Sequence, residues 1–135
     1  MPEIFKPMGA LALLTFTVLG GIALARLRAG FAGRVKLDDF AGGESAAVPA
    51  DVRLPNRNFM NLMETPVLFY VVCLMFAVRG PAPPLAIDLA WAFVALRGVH
   101  SVIHLTYNKV AHRFVAFLAS LGVLGALWAV FFLQG

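Results

Sequence analysis

Asn56-Arg57-Asn58-Phe59-Met60-Asn61-Leu62-Met63-Glu64-Thr65-Pro66 leads straight into Val67 to Val78, a run without a single charge. An ionised side chain near the bilayer centre costs at least ~3 kcal/mol on insertion scales, so such groups face a bundle interior, pair with one another or form a site. At about 100° per residue, Arg57, Asn61 and Glu64 fall within about 60° of one another on one helix face. Pro66 has no backbone N–H, which frees a carbonyl and invites a kink that opens a cleft beside Glu64.

Working outward, Asn58 to Val78 reads as a second membrane span, bounded by the rigid turn Arg79-Gly80-Pro81-Ala82-Pro83-Pro84. A turn that short makes the next span an antiparallel neighbour. That third span, about residues 85–107, carries Asp88 near one end and a stripe of Arg97, His100, Ser101, His104 and Asn108. Counted at 1.5 Å per residue, Glu64 sits roughly 10 Å below Arg57, and Arg97 roughly 16 Å below Asn108. Lipid exposure is penalised at both depths, so the two polar ladders are expected to face each other.

The remaining spans are plainer. Met8 to Ala25 is apolar, and Phe114 to Leu133 is a clean run of twenty residues without charge. Ala23-Leu24-Ala25 resembles a signal-peptidase site, but the apolar stretch before it is too long and Glu3 stands beside Lys6, so the segment reads as a retained helix. Between the first two spans, about residues 27–55 are rich in Gly, Ala, Asp and basic residues, which predicts a long polar loop, part of it without fixed structure. Gly20-Gly21 and Gly122-x2-Gly125 read as places of close helix approach. The aromatic residues of span four read as lipid contact and an interfacial belt.

With 61% hydrophobic residues and a mean hydropathy of +0.84, the composition lies far above the ~45–50% apolar usage of soluble domains. The expected class is an all-α integral membrane four-helix bundle. So small a chain has little interior of its own, which points to an oligomer. The formal net charge of +4 gathers at one membrane edge: Arg26, Arg28, Arg34, Lys36, Arg53 and Arg57, then Lys109 and Arg113. Only Lys6 and Arg79 mark the other edge, so the long loop is expected in the cytoplasm and both termini on the opposite side. Charges that track the membrane edge suit anionic lipid and exclude a nucleic-acid surface.

Several chemistries fit the ladders. Glu64 and Arg97 could form a buried ion pair that fixes helix register. His100 and His104 have metal-ligand spacing, but Cys73 is a lone thiol in an apolar run and Arg97 repels a cation, so no metal is expected. A proton relay through Glu64 and the histidines is chemically sensible. Arg113 reads as an interfacial anchor or as part of a site.

The Arg57-x3-Asn61-x2-Glu64 core resembles the signature of the membrane-associated proteins in eicosanoid and glutathione metabolism, the MAPEG family. Arg97-x2-His100, followed after twelve residues by Arg113, is similar in spacing to the prostaglandin-E synthase branch. The resemblance implies a four-helix protomer assembled as a homotrimer, with glutathione as thiol co-substrate between neighbouring subunits near the cytoplasmic side. It assigns Arg26 or Arg28, Arg57, Asn61, Glu64, Arg97, His100 and His104 to glutathione binding, and Arg113 to stabilising the thiolate. Arginine guanidinium groups suit the two carboxylates of the tripeptide, and Glu64 its ammonium.

The chain departs from that branch at His104, Phe114 and Phe117, where the branch has tyrosine, serine and tyrosine, and at Met60, where it has arginine. These changes remove polar ligands from the tripeptide site and its thiol end. The implied activity is glutathione transfer to, or glutathione-dependent reduction of, a lipophilic electrophile or hydroperoxide. The rival is a MAPEG-fold membrane protein that binds a lipid or small molecule without catalysis.

Overall fold

The computed structural model of the chain describes residues 1–134. Helix α1 spans Phe5–Phe31, α2 Ala50–Glu64, α3 Pro66–Arg79, α4 Pro84–Leu105 and α5 Val110–Leu133. Thr65 has helical φ and ψ of −64° and −34°, so α2 and α3 form one rod broken at Pro66 rather than two helices joined by a loop. Counted that way, four helices are long and apolar enough to cross a membrane. No β-sheet is present among the described residues, and the architecture is the all-α bundle expected.

The rods pack as neighbours along the chain. α4 lies along α5 and α1 along α2, with α4 also meeting α1 and α2, and α3 meeting α1 and α5. Their shared core contains Leu11, Val18, Phe69, Val72, Phe76, Ala90, Phe93, Leu124 and Leu127. Phe69 stacks on Phe93 with ring centroids 4.7 Å apart. Outward, Leu13, Phe16, Val71, Leu74, Val115 and Leu118 stand exposed on successive helices. That much apolar surface is stable only in lipid or against another protein.

Turns hold the rods in register. Gly80 has φ +138°, a conformation other residues rarely adopt, and its N–H donates to the Phe76 carbonyl at 3.1 Å. Beside it, the Arg79 guanidinium donates to the carbonyls of Phe131, at 2.9 Å, and of Gln134. Those carbonyls lie at the end of α5, where no further helical N–H is available to them.

Two expectations are corrected. The polar loop is shorter and more ordered than its composition suggests: α1 continues to Phe31, a 3-10 turn fills Leu37–Phe40, and α2 begins at Ala50. Ala29, Val35, Val48 and Val52 pack a small satellite core with Phe40. Arg34 clasps Asp51 through two bonds of 3.1 and 2.8 Å, and Arg26 pairs with Glu44 at 3.2 Å. The hydrogen bonds it donates to the Asp51 carboxylate hold the Arg34 guanidinium above its ordinary pKa. Such long-range pairs leave no periodic trace in sequence. The glycine pairs are the second correction, since a Cβ built on Gly20, Gly21, Gly122 or Gly125 meets nothing within 4 Å. They do not mediate packing inside one chain, because they look outward.

Candidate functional site

Along α2 the buried stripe is Val52, Asn58 and Leu62, rotated from the charged ladder. Arg57 and Glu64 are therefore exposed, with Asn61 half-buried between the two faces. On α4 the inward stripe is polar: Arg97, His100, Ser101 and His104 are all buried. The ladders do face each other, but they meet through Asn61. Arg97 Nη2 donates to the Asn61 side-chain oxygen at 2.5 Å and to its carbonyl at 3.1 Å.

No ion pair joins Glu64 to Arg97 among the described residues, so the register-fixing pair, one of the readings open to the ladders, does not form. The reason is rotational. The broken rod turns Glu64 to the outer surface while Arg97, 0% exposed, stays behind α2.

A cleft of about 190 Å³ opens between α2, α4 and the start of α5, lined by Asn61, His100, Val110, Arg113, Phe114 and Phe117. Three of the sequence-predicted residues, Asn61, His100 and Arg113, thus meet at one surface from three helices. The Arg97 guanidinium lies 6.0 Å from the Phe117 ring, and the His100 ring 6.4 Å from it. His104 meets His100 edge-on at 5.8 Å but does not line the cleft. Arg113 is half-buried, and its Nη1 donates to Asn108 Oδ1 at 2.7 Å.

Other predicted residues lie elsewhere. Arg26 lines a separate cavity of about 510 Å³ beside Phe31 and Phe40, its charge already met by Glu44. Arg28 is exposed on α1. Neither lines the Asn61 cleft of its own chain.

The polar interior holds more capacity than the chain itself uses. Arg97 Nε and Nη1, His100 Nδ1, both ring nitrogens of His104, the Ser101 hydroxyl and both side-chain amide atoms of Asn58 have no partner among the described residues. Orphaned polar atoms carry a penalty of about 1–3 kcal/mol each when buried, so a cluster of them marks a region selected for something besides stability. Asn58, 0% exposed, was missed by sequence reasoning that followed charge. Its signal was the i, i+4 step to Leu62 on the buried stripe.

A membrane bundle with a polar cleft between its second, third and fourth rods is the class that fold and site define. Residues 4–133 match the model of the MAPEG family, and the chain belongs to that family. It is an integral, multi-pass membrane protein. No curated protein and no solved structure gives a match.

Proposed function

We propose that this MAPEG protein is a membrane-bound glutathione-dependent transferase or peroxidase acting on a lipophilic electrophile or hydroperoxide. The observation that carries the reading is the cleft in which Asn61, His100 and Arg113 converge beside Val110, Phe114 and Phe117. Polar groups from three helices and apolar side chains from α5 line the same cleft. A hydrophilic thiol and an oil-soluble partner need that pairing.

The residues fit glutathione by charge. Arg57 and Glu64 are exposed on the same face of α2 as Asn61, offering a cation and an anion to a zwitterionic tripeptide along the outer surface. Asn61 supplies a donor and an acceptor, its orientation fixed from behind by Arg97. His100 presents an imidazole to the cleft. Arg113 lines the cleft beside Val110, Phe114 and Phe117, where it favours the thiolate over the thiol. In transfer, the sulfur supplies the electron pair for the new bond to carbon while the leaving group departs. In reduction, two thiols become one disulfide as a hydroperoxide becomes alcohol and water.

The cleft is small for a whole tripeptide and lies open on the surface of one chain. A homotrimer in which a neighbour covers it, bringing Arg26 or Arg28, accords with the placement of those two residues away from the cleft of their own chain. The basic residues along that edge support a mouth that opens on the cytoplasmic side.

A non-catalytic role is favoured by one observation: Phe114 and Phe117 leave Arg113 without a hydroxyl beside it in the cleft. In liposomes, wild-type protein is expected to show saturable glutathione conjugation of chlorodinitrobenzene, with Glu64→Gln raising the glutathione KM. A correctly folded wild type that binds no glutathione would establish the non-catalytic role instead.

A further inference from the structure

Asn108 has the one positive φ among non-glycine residues of the described chain, +47°. The left-handed region costs an L-residue about 1–2 kcal/mol, least for asparagine, so a side chain held there needs a reason. Two bonds give it a fixed place. Its N–H donates to the Ile103 carbonyl at 2.8 Å, closing the end of α4, and its side-chain oxygen accepts from Arg113 Nη1 at 2.7 Å. Glycine would serve the turn as well, but only asparagine also presents a neutral acceptor to Arg113.

We propose that Asn108 is a positioning residue that aims the Arg113 guanidinium into the Asn61–His100 cleft, and so sets how readily the bound thiol ionises. The proposal rests on the glutathione reading of that cleft. Arginine has long rotamer freedom, and free in the membrane interface it would turn to lipid phosphate. One hydrogen bond to a backbone-locked amide removes that freedom. The acceptor is also uncharged, so it orients the cation without neutralising it. A carboxylate there would bind Arg113 more tightly and offset the charge the thiolate needs.

The test is the pH dependence of kcat/KM for glutathione conjugation of chlorodinitrobenzene by the full-length trimeric or monomeric protein in liposomes. Asn108→Gly keeps the turn and deletes the acceptor. It is expected to move the thiol ionisation midpoint up by about one pH unit, which is about a tenfold loss of rate below the midpoint. The glutathione KM is expected to stay within about threefold of wild type, since the effect lies on the reacting sulfur rather than on binding. Asn108→Asp tolerates the same backbone and serves as the second variant, with the midpoint raised at least as far. A residue needed only for the turn would leave the midpoint unmoved in Asn108→Gly, and that result overturns the proposal while leaving the glutathione reading intact. Wild-type protein without conjugation overturns the glutathione reading and this proposal with it.

Discussion

Around Phe69 and Phe93 the bundle closes on stacked rings and aliphatic side chains, whereas around Asn61 and Arg97 buried polar atoms outnumber their partners. At 1.5 Å per residue, the two regions lie about 12 Å apart from Asn61 to Phe69 on the broken rod and about 6 Å apart from Arg97 to Phe93 on α4. One half is therefore built for packing. The other retains charge and amide groups that apolar residues of similar volume would replace at no loss of stability. Side chains kept against the interest of folding mark the half that works.

The comparison breaks most visibly at the apolar end. Phe93→Ala is expected to destabilise the protein by about 3–5 kcal/mol through lost burial and a residual cavity. Thermal unfolding in detergent measures it, and the surviving folded fraction should bind glutathione with wild-type affinity. A selective loss of binding would show that the two halves are not independent.

At the polar end the expected effects fall on function. Arg113→Ala should lower glutathione conjugation by about a hundredfold, the scale reported for removing one preorganised electrostatic group from an active site. Its unfolding temperature should stay near wild type, because the side chain is half-buried at the start of α5. Arg97→Met sharpens the contrast further. Removing a fully buried cation should leave stability unchanged or improved, while loss of its bond to Asn61 weakens glutathione binding about tenfold, as read by titration calorimetry. Instability together with intact binding would make Arg97 structural.

The smallest expected effect concerns Asn58. Both of its side-chain amide atoms lack partners among the described residues, so Asn58→Leu should be neutral or stabilise by about 1 kcal/mol, as replacing an unmatched polar group does. A drop in glutathione affinity in that variant would enlarge the working half to include Asn58.

Much of this division is legible in the sequence. The four apolar rods, the break at Pro66 and the facing of α2 and α4 follow from hydropathy, a missing N–H and helical spacing. Motif and spacing point to Asn61, His100 and Arg113, and these do share a cleft. Rotation about each rod was less legible. A window of about 60° contains both the exposed Glu64 and the half-buried Asn61, and which of them meets Arg97 depends on the break and on the packing of α1. The loop pairs, Arg26 with Glu44 and Arg34 with Asp51, join residues 18 and 17 positions apart with no periodicity to announce them. Asn108 showed as a polar residue on a stripe. Its left-handed backbone and its hold on Arg113 became visible only in three dimensions.

Thiolate absorbance on mixing glutathione with the reconstituted protein at neutral pH tests the central claim most directly, since it reads the ionised sulfur itself. The account predicts a saturable thiolate band in wild type that disappears in Arg113→Ala while the tripeptide still binds. A wild type that binds glutathione without the band, or a band of equal size in Arg113→Ala, would contradict it.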